Sequence, residues 1–316
     1  MKPVICNYYL TCRCNARCSF CNIWNDEHIP ASEESPVEIV CRNLSDARSL
    51  GVKIVDFTGG EPLLYEGIYD VLRYAKKIGL KTTITTNGII YPERAEEIAG
   101  LIDILQFSLD AANKDGHDSV KGVPSFDRVM ESIGIAHNLR VRPTFIHTVT
   151  DENISSVPDV MALARKMNVL LFLNPCFSYF DNNGLSRKNA ITLGEMAHGK
   201  GVTVDRGFLK FFIDGGNKRD KPRCLAVTST IVISPDDKLV LPCFHAKTLE
   251  IPIEGRLTEL RNSTSVEFEK KIEGHHPFCE GCTVYCYIRA SLFRRFDRYV
   301  LPSYISAAHY LFELHR

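Results

Sequence analysis

The 316-residue sequence lacks an excess of charge of either sign, because 38 Lys and Arg residues balance 38 Asp and Glu residues. Proteins that bind nucleic acid usually show a basic excess, so we expect no nucleic-acid partner. The sequence also lacks an apolar run long enough to span a bilayer. No signal peptide precedes the apolar residues that begin near position 3. We therefore expect a cytoplasmic protein.

Cysteine, by contrast, is abundant, with 12 residues in a chain that is 45% apolar and 24% charged. In a secreted protein this number would suggest disulfide bonds. In a reducing cytoplasm, clustered cysteines are more typical of metal sites. The chain is long enough for one large α/β domain and a smaller one.

Three of the cysteines, Cys14, Cys18 and Cys21, have the spacing C-x3-C-x2-C in a loop after a short apolar run. Thiolates are soft ligands that select zinc, Cu(I) or iron–sulfur clusters. A closed structural site requires four protein ligands, so three cysteines would leave one iron of a [4Fe–4S] cluster open to an external molecule. A structural zinc knot and unrelated buried cysteines are the alternatives.

Strand and helix patterns alternate through the first part of the chain. The sequence predicts strands at 3–10, 52–57, 81–86, 102–109, 141–149 and 169–173, and helices at 35–50, 65–78, 92–99, 126–138 and 157–167. Such alternation is typical of a parallel sheet with right-handed crossovers. Six units are too few to close an eight-stranded barrel, so we predict an α/β fold with a partial (β/α)6 open barrel. In such folds, ligands bind at the C-terminal ends of the strands.

Several residues that could bind a ligand follow the predicted strands directly. They are Gly59, Gly60, Glu61 and Pro62 after the second strand, Asn87 after the third, Ser108 and Asp110 after the fourth, Thr148 and Asn153 after the fifth, and Cys176 after the sixth. Taken alone, each set is a strand-end turn. Glycine lets the backbone approach a ligand closely, and the cysteine loop is predicted to lie at the same end of the sheet. A shared ligand site at this edge is therefore the stronger interpretation.

The cysteine spacing, the aromatic residue before the last cysteine and the Gly-Gly-Glu motif together resemble the radical S-adenosylmethionine (SAM) enzymes. The resemblance implies that Cys14, Cys18 and Cys21 ligate three irons of a [4Fe–4S] cluster and that SAM chelates the fourth. Reduction of the cluster would split SAM into methionine and a 5′-deoxyadenosyl radical that abstracts hydrogen from a substrate. The resemblance also implies an electron donor of the flavodoxin or ferredoxin type.

The same resemblance implies contacts to SAM from the strand ends and from the cysteine loop. The candidates are Gly59, Gly60, Glu61 and the adjoining Pro62 at the amino group, Phe20 beside the adenine, Ser108 at the carboxylate or ribose, Thr148 and Asn153 near the adenosine, and Asp110 and Asn87 in nearby roles.

A second group of cysteines lies towards the C-terminus, around a predicted β-hairpin at 228–241. Four thiolates, enough to close one tetrahedral or cubane site, come from Cys224, Cys243, Cys279 and Cys282. Their order resembles the Twitch form of the SPASM domain, which implies one auxiliary [4Fe–4S] cluster. Cys286 departs from this pattern and is either a substitute ligand or a relic of the longer SPASM set. Zinc bound by the same four ligands is the alternative.

We predict a radical SAM core at 1–176, a connecting region at 177–223 with a turn at 181–184, and an auxiliary-cluster domain with a helical tail at 224–316. Nothing before the first strand resembles a leader-peptide-binding domain, so we expect a small-metabolite substrate that undergoes oxidation, epimerisation or rearrangement. A peptide-modifying or lipid-modifying radical SAM enzyme is the alternative. A non-enzymatic iron–sulfur or zinc protein is a further alternative, but it would not need a SAM pocket.

Two further features, Cys176 and the C-terminal tail, each have two interpretations. Cys176 is the candidate catalytic thiol, because the sixth strand would bring it to the active-site mouth. There it could give a hydrogen atom to a substrate radical. The alternative is that Cys176 is only a buried packing residue. The tail at 290–316 is predicted to be helical with a break at Pro302. Its apolar stripe either packs on the protein's own core or, helped by its arginines, associates weakly with a membrane surface.

Overall fold

The computed structural model describes residues 1–25, 33–177 and 184–315, so most of the predicted turn at 181–184 lies outside the described residues. Within them, ten strands form one sheet. The strands are β1 Ile5–Thr11, β2 Ile54–Gly59, β3 Lys81–Thr86, β4 Ile104–Ser108, β5 Thr144–Val149, β6 Leu170–Pro175, β7 Val202–Thr203, β8 Thr230–Ile233, β9 Lys238–Cys243 and β10 Ala246–Pro252.

The α-helices of the described residues alternate with the first six strands and then follow them. They are α1 Val37–Leu50, α2 Ile68–Lys77, α3 Tyr91–Ile98, α4 Lys114–Lys121, α5 Phe126–Asn138, α6 Val157–Lys166, α7 Arg187–Met196, α8 Arg206–Ile213, α9 Ala226–Ser229, α10 Leu257–Leu260, α11 Thr264–Ile272, α12 Tyr285–Leu292 and α13 Val300–His315.

Strands β1 to β6 are parallel neighbours in chain order, which confirms the α/β class and the partial barrel. Strand β2 illustrates why the sheet has two different faces. Val55 and Phe57 are fully buried in the main core, with apolar residues of the surrounding helices. Asp56 and Thr58 alternate with them and therefore point to the opposite face. On β2, apolar side chains are thus buried under the helices, and polar ones point to the inward face.

Helix α12 shows that the sheet curves. Tyr287 of this helix contacts Tyr9 of β1, and the Tyr285 ring centroid lies 5.8 Å from that of Phe172 on β6. In a flat sheet β1 and β6 would be roughly 24 Å apart, whereas a helix of this length extends only about 12 Å. The sheet must therefore wrap around α12, which lies in the barrel interior.

The predicted C-terminal hairpin is present, with β8 and β9 antiparallel, but it extends the barrel sheet. Strand β8 pairs in parallel with β1, so that Val232 is the register partner of Asn7. Ile231 and Ile233 of β8 belong to the same core as the barrel helices. The hairpin that carries Cys243 is therefore rigidly attached to the strand that leads into the first cysteine loop.

The tail forms two helices, and the predicted position of their break was wrong. Residues 293–299 separate α12 from α13, whereas Pro302 lies in the first turn of α13, where a missing N–H group is tolerated. Tyr310 and Leu314 of α13 pack with Leu170 and Ile104, at the N-terminal ends of β6 and β4. The tail thus packs on the protein's own core and closes the bottom of the barrel. In the described part of the chain, no helix is both long and apolar enough to cross a membrane.

Candidate active site

Cys14, Cys18 and Cys21 lie in the loop after β1, at the C-terminal edge of the sheet. Each is partly exposed. Burial, with smaller contributions from the neighbouring Cys18 and Cys14 thiols, raises the pKa of the Cys21 thiol to about 12. Three soft, mutually close thiols in one partly open loop fit three irons of a cubane cluster, and iron binding would release their protons. The donor set therefore agrees with the cofactor that the sequence implies.

Gly59 and Gly60 hold this loop against the end of β2. A Cβ atom on Gly59, where φ is +135°, would lie 2.0 Å from the Thr11 carbonyl oxygen, and one on Gly60 would lie 2.2 Å from that of Arg13. The Gly60 and Glu61 N–H groups donate to the same two carbonyls, each at 2.8 Å. Glycine is thus required here because the backbone of the cysteine loop packs against these two residues. From the sequence, we had expected a ligand to make this close approach.

Glu61 ties the end of β2 to the end of β3. Its buried carboxylate accepts hydrogen bonds from Thr86 Oγ1 at 2.8 Å, from the Asn87 N–H at 2.8 Å and from the Leu63 N–H at 3.1 Å. Burial raises the pKa of Glu61, and these hydrogen bonds oppose the rise. The adjoining Pro62 is buried at the start of a short 3-10 helix. Glu61 therefore fixes the backbone that presents Asn87.

Asn87 contacts the cysteine loop directly. Its Nδ2 donates to Asn15 Oδ1 at 2.7 Å and lies 3.8 Å from Cys14 Sγ, while its Oδ1 accepts from the Ile89 N–H at 3.0 Å. N–H groups near ligating sulfurs tune an iron–sulfur cluster. The Asn87 amide thus lies beside Cys14 Sγ, where it would act on a cluster bound there.

Ser108 and Asp110 meet a lysine that the sequence analysis missed. Lys121 Nζ donates to Ser108 Oγ at 2.8 Å and lies 2.9 Å from Asp110 Oδ2, with both charged side chains buried. Burial alone would lower the pKa of Lys121, but Asp110 and the Cys18 thiol raise it by more. Lys121 in turn lowers the pKa of Cys18, against the larger effect of burial.

The other backbone contacts of α4 explain why Lys121 matters to the loop. The Lys121 carbonyl accepts from the Arg17 N–H at 2.8 Å, and the Val120 carbonyl accepts from the Ser19 N–H at 3.0 Å. The cysteine loop is thus clamped between the end of β2 and the end of α4. Helix α4 is almost wholly polar in sequence, and no local signal distinguishes Lys121 from a solvated lysine.

Three further candidates have different surroundings. Phe20 lies in the cysteine loop and is half-buried. Asn153 closes its own turn, because its Nδ2 donates to the Thr148 carbonyl at 2.9 Å and its Oδ1 accepts from the Thr150 N–H at 2.8 Å. The Asn153 side chain therefore serves the loop between β5 and α6, and its predicted SAM contact stays a prediction, as does that of Thr148.

Cys176 follows β6 immediately and is buried. Its Sγ lies 3.7 Å from the Phe177 carbonyl oxygen. Burial raises the pKa of this thiol to about 11, with a smaller contribution from Asp110. The strand does bring Cys176 to the cluster edge of the sheet, but the thiol is packed in protein.

The four auxiliary thiols are neighbours. Burial, followed by Cys282, Cys243 and Cys279, raises the pKa of Cys224. In the described residues, no three His, Cys, Asp or Glu side chains are arranged around a single metal ion. A four-iron cluster holds its ligands further apart than one ion does, and a ring of four thiolates suits it.

Cys286 lies apart from this group. After burial, Asp56 of β2 has the largest effect on its pKa, which rises to about 12. Its side chain is nevertheless solvent-accessible. Cys286 thus lies near Asp56 on the inward face of β2. Both predicted alternatives for Cys286, a substitute ligand and a relic of the longer SPASM set, stay predictions.

Asn217, which the sequence analysis also missed, joins the segments that carry these thiols. Its Oδ1 accepts from the N–H groups of Arg223 and Cys224 at 2.8 and 3.0 Å. Its Nδ2 donates to the carbonyls of Gly274 and Cys279 at 2.9 and 3.1 Å. The side chain is fully buried and all of its hydrogen-bonding capacity is used.

Comparisons with known proteins agree with this geometry. The Radical SAM superfamily model matches residues 8–164. A probable GTP 3′,8-cyclase of Thermoplasma volcanium is 33% identical over 85% of this chain and 84% of its own length. An AdoMet-dependent heme synthase of Methanosarcina barkeri is 27% identical over 54% of this chain, and the match spans only 49% of that protein.

Two solved structures share the fold. Streptococcus suis SuiB bound to S-adenosylmethionine has a TM-score of 0.67 and 18% identity over 84% of this chain and 67% of its own. Native anSMEcpe with bound AdoMet has a TM-score of 0.64 and 15% identity over 99% of this chain and 98% of its own. Given the family match and the Thermoplasma volcanium relative, which is matched over most of its length, the chain belongs to the radical SAM superfamily of enzymes, which use a [4Fe–4S] cluster and SAM.

Proposed function

We propose that this radical SAM enzyme acts on a small polar molecule bound inside the barrel. The observation that carries the proposal is a group of polar and charged side chains on the inward face, beside α12. Asp56 accepts a hydrogen bond from Thr83 of the next strand, and Arg289 of α12 acts on the same carboxylate. An interior that held a lipid chain would be lined by apolar side chains.

The residues proposed to hold the cofactors lie at the C-terminal edge of the same sheet. Cys14, Cys18 and Cys21 would hold the cluster; when bound, the cluster and SAM supply the radical that abstracts hydrogen from the substrate. The chain's own part is to position these groups and to exclude water. Lys121 supplies a buried positive charge beside Cys18. It thereby counterbalances some of the negative charge that thiolate ligands bring.

We further propose that Cys224, Cys243, Cys279 and Cys282 hold one auxiliary [4Fe–4S] cluster. Three observations support this: the thiols are neighbours, Asn217 fixes their segments, and the hairpin that carries Cys243 is attached to β1. An electron donor of the flavodoxin or ferredoxin type would reduce the enzyme, since radical SAM enzymes need a reductant.

The comparisons favour a small molecule as the first substrate class to test. The relative from Thermoplasma volcanium, matched over most of both chains, is named as a probable GTP 3′,8-cyclase. SuiB has also been solved with a precursor peptide, and anSMEcpe with peptides, but these chains are under 20% identical and share only the fold. A peptide substrate is therefore the alternative outcome of the experiment.

The test measures 5′-deoxyadenosine from anaerobically reconstituted, reduced protein with SAM. We expect basal formation, and a several-fold increase when GTP or a low-molecular-weight metabolite fraction is added. A peptide fraction of the same source is the matched comparison. No 5′-deoxyadenosine under any condition would refute the activity, and stimulation by peptides alone would refute the substrate class.

A further inference from the structure

Helix α12 presents an unpaired cation to the barrel interior. Arg289 stacks over the ring of Tyr285, with its guanidinium carbon 5.7 Å from the ring centroid. Within the described residues, the guanidinium makes no hydrogen bond and no ion pair, although it is only partly accessible. A charge held inside a protein is costly unless a counter-charge and hydrogen bonds compensate it. Arg289 thus has donors available for an anion.

Two carboxylates, Asp205 and Asp56, act electrostatically on Arg289, and neither forms an ion pair with it in the described residues. Asp205, which has the larger effect, accepts hydrogen bonds from the Phe208 N–H and from Ser303 Oγ. Asp56 feels the positive charge of Arg289, which opposes the larger effect of burial on its pKa. Its carboxylate accepts a hydrogen bond from Thr83 Oγ1 instead of pairing with the guanidinium. The interior therefore presents a carboxylate and a cation, and each can still form hydrogen bonds with a ligand.

Two further neutral donors, one on β1 and one on α12, also have no hydrogen-bond partner among the residues that the structure describes. Asn7 is only 3% exposed, and its Nδ2 makes no hydrogen bond. Asn7 is the register partner of Asp56, so the two side chains lie on the same face of adjacent strands. The hydroxyl of Tyr285, one helical turn before Arg289, is likewise buried without a partner. Leaving such groups unsatisfied is unfavourable, which indicates that a ligand binds them.

We propose that Arg289, Tyr285 and Asn7 bind an anionic group of the substrate, a carboxylate or a phosphate, while Asp56 accepts a hydrogen bond from a hydroxyl or amine of the same molecule. The inference rests on the proposed function and names the substrate class: a small anion that also carries a hydrogen-bond donor. The planar guanidinium can bind either anionic group through two parallel hydrogen bonds.

The test is isothermal titration calorimetry of the reconstituted holoenzyme with two probes, inorganic pyrophosphate and malonate. We expect one of them to bind with a stoichiometry of one per chain, and the arm that binds identifies phosphate or carboxylate as the preferred group. Arg289→Gln should weaken that binding at least tenfold, and Arg289→Lys, which keeps the charge, should recover part of it. The matched control is Arg298→Gln, because Arg298 is an exposed arginine already paired with Asp214.

Tyr285→Phe provides a second variant that removes one hydroxyl without removing the ring, and we expect it to weaken binding several-fold. The inference is overturned if the wild-type protein binds neither probe at tens of millimolar, or if Arg289→Gln binds as tightly as wild type. The activity is judged separately, by 5′-deoxyadenosine formation in the wild-type enzyme. An enzyme that cleaves SAM but binds neither anion would thus retain the proposed function and refute only this site.

Discussion

Replacement of Asn217 by alanine tests whether one buried amide holds the auxiliary cysteines in place. The side chain makes four hydrogen bonds, two of them to the backbone of cysteines. At about 0.5–1.5 kcal/mol for each bond, the loss amounts to about 2–6 kcal/mol. The stranded N–H and carbonyl groups are buried, so water cannot readily replace the lost partners.

The expected result is local. In Asn217→Ala the segments that carry Cys224 and Cys279 lose their connection, and the auxiliary site should fail to retain its cluster. Wild-type protein should contain about eight irons per chain, from two four-iron clusters, and the variant about four. The remaining iron should still give the spectroscopic response of the first cluster to SAM.

Two further variants sharpen the interpretation. Asn217→Asp keeps the acceptors for two N–H groups but places carboxylate oxygen against the carbonyls of Gly274 and Cys279, so it should also lose iron. Asn262→Ala is the control, because Asn262 is an exposed asparagine with a single side-chain hydrogen bond, to Thr258. If Asn217→Ala retains all its iron and unfolds at the wild-type temperature, the proposed connecting role of Asn217 is wrong.

Four other changes have defined outcomes. Replacing all three cysteines of the C-x3-C-x2-C loop with alanine should abolish SAM cleavage and halve the iron; residual reductive cleavage would contradict the assignment. Cys176→Ala should still cleave SAM but fail to complete product if the thiol donates hydrogen, and normal turnover would leave it a packing residue. Asp56→Asn tests a pH dependence: burial raises the pKa of Asp56 from 3.8 to about 6, so wild-type stability should fall as the pH rises through that interval. Asparagine does not ionise, so Asp56→Asn should not lose stability in this interval and should be about 1–3 kcal/mol more stable than wild type above pH 6. Denaturant titrations can measure this difference, and equal pH profiles would refute the raised pKa. Deleting residues 302–316 removes Tyr310 and Leu314 from the bottom of the barrel and should lower thermal stability and solubility; a fully stable truncated protein that no longer binds anionic liposomes would instead support a membrane role for the tail.

The sequence predicts the parts of this molecule whose signals are local. Strands β1 to β6 carry β-branched and apolar runs bounded by glycine, asparagine or proline, so their order and parallel arrangement follow from pattern alone. Helix α4 was missed because its sequence is polar, and α1 begins at Val37, two residues after the predicted start. Ser35 Oγ donates to the Pro235 carbonyl at 2.6 Å, an interaction between distant parts of the chain that no local pattern reveals.

The same limit applies to the site. The cysteines and the Gly-Gly-Glu motif are recognisable because their spacing is itself the signal. Lys121 and Asn217 have no spacing of this kind: each acquires its role by burial against segments far away in sequence. A lone lysine or asparagine is usually solvated, and only the folded structure shows that these two side chains are buried among their partners.

The placement of polar groups also explains how one sheet can serve two kinds of binding. The C-terminal edge carries the cysteine loop, clamped by Gly60 and α4, where rigid positioning is what a cluster requires. The inner face further down carries Asp56, and α12 carries Arg289 beside it. In the described part of the chain, neither forms an ion pair. Fully paired groups stabilise a fold, whereas unpaired ones in its interior are expected where a ligand completes them. The difference between these two regions is the physical reason for assigning the edge to the cofactors and the interior to the substrate.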